Sequence, residues 1–379
     1  MQHQPPHLSP IPLSARYFWL NPLACAATGA VISIFFQKSY GSCGDYPQHF
    51  HACWWGLGIG AAAGLALNFL HEKIPGAWRA QPLAIGFLRF FLAYIMLSYG
   101  VAKIVPTQFP HLLANLDNTF NELTPMRVAW TFFGYSKGYQ MLMGWAETIP
   151  ALLLFFRRTW LLGALLMATV LVNVVAVNFF FKVCVKLNSS IYLGIALFLL
   201  LTEFGRLRTF FFTENAVPPP VRRTLFQSPK TRRIARILNG LLVTVILGNA
   251  GYSALTGLEY LRQQESVTPV SGIWQVEKME RLRDGAWMEV PAADSLRLNR
   301  LYFQGIFGIF KGPARRDRTT IEVDSVQKEI RVTFITPRNE RPVRHSWQYR
   351  QSDASHLHLS GRLWDDSIRI DCISRKEIK

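Results

Sequence analysis

Long apolar runs fill the first two thirds of the chain, and short runs with alternating apolar and polar positions fill the last third. The long runs lie at residues 18–36, 53–70, 83–105, 139–156, 160–181, 187–201 (with a few flanking residues) and 238–258. A helix of roughly 20 apolar residues crosses the ~30 Å hydrocarbon core of a bilayer. From residue 267 onward the stretches GIWQVEKM, GAWMEV, LYFQGIFGIF, TTIEVDS, KEIRVTFIT, VRHSWQYR, HLHLSG and SIRIDCIS have strand character, with turns at Asp284-Gly285, Arg338-Asn339 and Asp365-Asp366. Several short strands at regular spacing predict an antiparallel barrel or sandwich. The predicted fold class is therefore α+β: a multi-pass transmembrane helical bundle of about seven spans over residues 1–260, then a small antiparallel β-barrel domain over residues 267–379.

Local signals refine this picture. The first apolar run is too long for the core of a signal peptide, and a second follows it closely, so it reads as a membrane helix. Gly56, Gly58 and Gly60 in the second run read as helix-packing positions, since small residues let backbones approach in lipid. In the long 106–137 connection, Thr124-Pro125 is an N-cap followed by a proline at the first helical position. The short helix this predicts carries Trp130, Phe132 and Phe133, aromatics that favour the membrane interface.

Composition agrees with the membrane class: 50% of the 379 residues are hydrophobic and 17% are charged, against about 25% charged in soluble domains. The net charge of +17 would suggest nucleic acid in a soluble protein, but no nucleic-acid motif accompanies it. Basic residues instead collect at Arg206, Arg208, Arg222, Arg223, Lys230, Arg232, Arg233 and Arg236, around Pro218-Pro219-Pro220. Cytoplasmic loops carry such an excess. The N-terminus, the Lys73/Arg79 loop and the Arg157-Arg158 turn then share the cytoplasmic side. The Cys43–Cys53 loop, the 106–137 loop and the C-terminal domain face outward, although Lys182 and Lys186 fall on the outer side too.

Arg89 and Glu147 stand inside apolar runs, where a charge costs roughly 2.5–3.5 kcal/mol. They are expected to pair, either as a structural lock between helices or as a proton relay or polar head-group site. Asn173 and Asn178 suit hydrogen bonds between helices, and Lys103 and Lys186 suit snorkelling at the outer interface. Cys43, Asp45, His49, His51 and Cys53 are of metal-ligand type but fit no zinc template. Unpaired cysteines, a Cys43–Cys53 disulfide and a metal site all stay open. No C-x-x-C, nucleophile motif, haem pattern, dinucleotide fingerprint or iron–sulfur set is present, so no cofactor is expected.

Gly272-Ile273-Trp274 is the G-x-W that opens the first strand of lipocalin-like barrels, and the C-terminal domain resembles that group. Residues 85–205 resemble the DoxX-like membrane protein family. The resemblance rests on Arg89 followed by Gly100-Val101-Ala102-Lys103, on Gly144-Trp145-Ala146-Glu147, and on the VNVVAVNFFFKVCVKL block. Pro125-Met126, Ala129-Trp130-Thr131-Phe132, Gly134-Tyr135-Ser136 and Val185-Lys186-Leu187 resemble a bacterial subgroup, although Lys182 and Cys184 stand where that subgroup tends to have an acid and a proline. The resemblance implies a bacterial inner-membrane protein that acts as an accessory to a redox or envelope assembly. Two alternatives are a carrier or receptor for a small lipophilic molecule and a quinone-linked oxidoreductase subunit whose cofactor a partner supplies. The expected partners are the lipid bilayer and either a lipophilic small molecule or a membrane protein, with no nucleic acid.

Overall fold

A computed structural model describes residues 15–35, 44–70, 80–218, 228–313, 315–334 and 342–375. Cys43, Lys73, Arg79, Arg222, Arg223 and the Arg338-Asn339 turn lie outside the described residues. The chain divides into two compact units, one of residues 1–105 and 138–254, the other of residues 106–137 and 255–379. The 106–137 connection thus belongs with the C-terminal segment, where the sequence division had placed it with the helices.

The first unit holds α1 (Ala15–Phe35), α2 (Pro47–Leu70), α3 (Ala80–Ile104), and, after the 106–137 segment with its α4 (Leu113–Leu116) and α5 (Pro125–Tyr135), α6 (Lys137–Phe155), α7 (Trp160–Phe180), α8 (Lys186–Thr202), α9 (Phe204–Phe212) and most of α10 (Pro229–Gln264). Among the described residues, α1, α2, α3, α7 and α10 are long and apolar enough to cross a membrane. The number rises to six if α8 and α9, bent by 74° at their junction, count as one broken span. Seven spans were expected. The helix α6 is 19 residues long but falls outside the set, because Lys137, Gln140 and Glu147 dilute its apolar run.

Helices α1 and α2 cross antiparallel with their backbones nearly touching. A methyl group on Gly56 would overlap the Gly29 carbonyl, one on Gly60 the Cys25 carbonyl, and one on Gly64 the Asn21–Pro22 backbone. The spacing of four puts these three glycines on one helix face. Gly58 lies off that face with open space around it, so it is not the packing position expected of it. Asn21 Nδ2 donates to Asn68 Oδ1 at 2.6 Å, closing one end of the crossing.

The second unit is built on a closed barrel. Its strands are β1 (Gly272–Arg283), β2 (Ala286–Glu289), β3 (Arg300–Gln304), β4 (Phe307–Lys311), β5 (Arg316–Asp324), β6 (Glu329–Phe334), β7 (Val343–Gln351), β8 (His356–Leu363) and β9 (Asp366–Arg375). Neighbours pair antiparallel from β3 through β9, and β1 bridges β3 and β9. That closes a ring of eight strands, with β2 folding back on the end of β1. The Asp284-Gly285 turn has positive φ at both residues, 49° and 78°, as the twist-matched two-residue hairpin requires. The stretch read as one strand, LYFQGIFGIF, is the β3–β4 hairpin; Gly305, at φ 58°, makes the turn. Inward positions fill the interior: Trp274, Phe303, Phe310, Trp347 and Ile370 are all at most 2% exposed. Phe310 stacks on Trp347 with ring centroids 5.2 Å apart. The two buried indoles are satisfied, Trp274 Nε1 donating to Val270 O at 2.8 Å and Trp347 Nε1 to Arg362 O at 2.6 Å. The expected core tryptophan is therefore in place.

Within this unit, residues 111–122 lie on the outer face of β3 and β4. Asp117, whose side chain is 1% exposed, accepts from Arg300 Nη1, Tyr302 Oη and Arg375 Nη1, each at 2.7 Å. Gln304 brackets α4, accepting from Leu113 N at 3.1 Å and donating to His111 O at 2.7 Å.

Candidate functional site in the helical unit

The inward stripe of α6 is polar at its start and apolar at its end. Gln140, Gly144, Glu147, Thr148, Ala151 and Leu154 are all buried, and their spacing of three, four and seven is that of one helix face. The facing stripe of α3 carries Leu92, Met96, Gly100 and Lys103. Gly100 and Gly144 set the approach: a methyl on Gly144 would lie 2.7 Å from Gly100 O, and one on Gly100 would strike the Thr148 side chain. At this close point Lys103 Nζ donates to Glu147 Oε2 at 2.6 Å, with side chains 8% and 4% exposed. The Tyr99 ring lies beneath the ammonium, its centroid 5.7 Å from Nζ.

The pairing differs from the one expected. Arg89 precedes Lys103 by fourteen residues, which is about 21 Å along a helix. Because α6 runs antiparallel to α3, Arg89 faces the other end of α6, near Arg157, and its guanidinium sits over the Phe90 ring at 5.1 Å. Its Nε is buried without a hydrogen-bond partner among the described residues. Lys103, read as an interfacial cation, is instead the buried partner of Glu147.

Two more polar atoms sit on the same stripe unsatisfied. Gln140 Nε2 and Thr148 Oγ1 are buried and have no hydrogen-bond partner among the described residues. The site therefore combines an ion pair in a low-dielectric setting with two idle polar groups. An unmade buried hydrogen bond costs about 1–3 kcal/mol, so the site is polar beyond what packing needs.

The other candidates separate. Asn178 is buried, whereas Asn173 is exposed on α7. Lys186 pairs with Asp45 at 3.1 Å rather than snorkelling alone. Asp45 also accepts from Lys186 N and Leu187 N, both at 3.0 Å. It thereby supplies the N-terminal cap of α8 from a distant loop, where a carboxylate suits the helix dipole. Gly44 N donates to Cys184 O at 2.7 Å beside it. His49 Nδ1 meets Gly44 O at 2.7 Å, His51 is exposed, and Cys53 is a buried free thiol packed with Ala30 and Leu187. Among the described residues no group of three or more metal-type side chains converges.

No family model matches the chain, and no solved structure matches it. A Bacillus subtilis (strain 168) protein, the uncharacterized protein YwoB, is 37% identical over 112 residues, which span 30% of this chain and 71% of that protein. The chain belongs to the YwoB family.

Proposed function

We propose that this is an accessory membrane protein of the DoxX-like class in a bacterial inner membrane, with seven spans, an inside N-terminus and an outside barrel that docks a redox or envelope assembly. The observation that carries this reading is the filled barrel. Trp274, Phe303, Phe310 and Trp347 occupy the space a ligand would need, so the barrel offers its exterior. Small barrels are commonly closed by their own side chains in this way.

Two contacts support seven spans by parity, taking α1, α2, α3, α7 and α10 as crossing. Asp45, after one crossing, bonds Lys186 and Leu187, which follow α7. Asp117, after three crossings, bonds Arg300 and Arg375, which follow α10. If bonded ends share one side of the membrane, α6 and α7 cross together, and likewise α8 with α10. Arg157-Arg158 and the 206–236 segment then share the side of the N-terminus, which agrees with the positive-inside rule.

Gln140 Nε2 and Thr148 Oγ1 favour a second reading, in which the Lys103–Glu147 site holds the polar head of a lipophilic molecule. Photo-crosslinkers placed at the outward positions Arg350, His358 and Arg369, combined with mass spectrometry of lipid extracts, separate the two. A discrete protein adduct from the barrel supports docking. A lipophile that co-purifies with the native protein but not with Glu147→Gln, with no adduct, replaces it by the second reading. Labelling of introduced cysteines from outside at position 352 and from inside at position 158 checks the topology; the reverse pattern rejects it.

A further inference from the structure

The outer face of β3, β4 and β5 carries a row of cations. Arg300 lies opposite Lys311, and Lys311 lies opposite Arg316. Like charges directly opposite each other destabilise a sheet, so such a row needs anions. The 113–122 segment supplies them at two of the three places. Asp117 takes Arg300. Glu122 takes Lys311 at 2.9 Å, with Asn118 Oδ1 helping at 3.0 Å.

At Arg316 the pattern breaks. Its partner is a neutral amide, Asn115 Oδ1, 2.9 Å from Nη2, and its buried Nε has no partner among the described residues. Arg318 follows two residues along β5, on the same face of the strand, and Arg127 in the first turn of α5 adds to the repulsion that Arg316 feels. Burial first, then repulsion from Arg127 and Arg318, holds Arg316 below the ordinary arginine range, while Tyr302 and Glu122 pull weakly the other way. Burial and Arg318 lower Arg127 as well. The nearby acids are engaged elsewhere: Asp117 by Arg300 and Arg375, Glu122 by Lys311, and Asp317 by Arg315. Among the described residues no carboxylate is bonded to Arg127, Arg316 or Arg318.

We propose that Arg127, Arg316 and Arg318 form a binding site for a phosphate group, presented either by an anionic phospholipid headgroup or by free phosphate. Arg316 has an idle buried donor, Arg318 stands on the same face of β5, Arg127 repels both from α5, and planar forked donors match phosphate oxygens. The site lies at the N-terminal end of α5, whose dipole adds to the positive potential. The aromatic residues Phe132 and Tyr135, further along α5, are exposed at 65% and 68%.

The test uses the full chain in neutral detergent, with two probes. Equilibrium dialysis measures inorganic phosphate, and mass spectrometry after exchange into nanodiscs measures phosphatidylglycerol retained over phosphatidylcholine. Each guanidinium removed, in Arg316→Gln and Arg318→Gln, should weaken retention roughly ten-fold, the equivalent of one charge-assisted hydrogen bond. Arg350→Gln, elsewhere on the barrel, should retain as the natural protein does. Phosphate retention alone assigns the free anion, phosphatidylglycerol alone assigns the headgroup, and both together assign the shared group. No retention of either probe, or equal retention by the natural protein and the variants, overturns the proposal. If Arg316→Gln does not fold, the exposed Arg318→Gln alone decides.

Discussion

Lys103 and Glu147 meet at 2.6 Å, each three residues beyond the glycine at which α3 and α6 come closest. The two glycines remove the side-chain volume that would hold the helices apart, and the charges lock the depth at which they stop. Removing one partner leaves a buried, uncompensated charge, which costs about 3–5 kcal/mol. Lys103→Leu and Glu147→Leu should each lower thermal stability in detergent more than the double substitution does. Additive losses in that double-mutant cycle would show the pair to be uncoupled.

The α1–α2 crossing offers a matched pair of glycines. Gly56→Ala places a methyl against the Gly29 backbone, while Gly58→Ala meets open space. The first should cost about 1–3 kcal/mol through overpacking, and the second should be close to neutral or slightly stabilising. Thermal midpoints of the two variants measured side by side check this; equal effects would mean that the helices do not cross at Gly56.

In the barrel, Trp347 is fully buried and stacked on Phe310. Trp347→Ala should cost about 3–5 kcal/mol and broaden the near-ultraviolet circular dichroism of the aromatic core. A stability loss below about 1 kcal/mol, well short of that range, would show that the barrel interior is not packed around this residue.

Tyr302 gives a pH dependence with a definite sign. Burial, together with the hydrogen bond and charge of Asp117, pushes its hydroxyl up from 10.0 to about 12. The folded state therefore keeps a proton that the unfolded state has lost. The stabilisation is complete below pH 10 and disappears as pH rises through about 12. Natural protein minus Tyr302→Phe, titrated by absorbance at the phenolate band, should show one tyrosine ionising near the top of that window. A difference curve centred near 10 would place Tyr302 in water.

The barrel was legible because its signal is local. Period-two alternation marks the strands, Asp284-Gly285 marks a hairpin turn, and Trp274 sits where the first strand must bury its inward face. Gly305 hid one turn, because a glycine inside an apolar run reads as well as a strand interruption as it does a hairpin. The partner of Glu147 was not legible, since two cations lay on α3 and only the antiparallel register chooses between them. Gly100 and Gly144 carried that information, each standing three residues before its charge. Asp45 drew attention as a metal-type residue, but its role in capping α8 depends on a contact 141 residues away and leaves no local trace.

The three bonds to Asp117 also order events during synthesis. Asp117 precedes Arg375 by 258 residues, and at roughly 5–20 residues per second that interval is tens of seconds. For the first 183 residues of it none of these partners has been made, and the last of the three bonds waits for the whole interval. The ring itself cannot close before its last strand, β9, reaches β1. This unit therefore completes only after β9 has been made, and the 106–137 segment, made long before it, has its docking face supplied last.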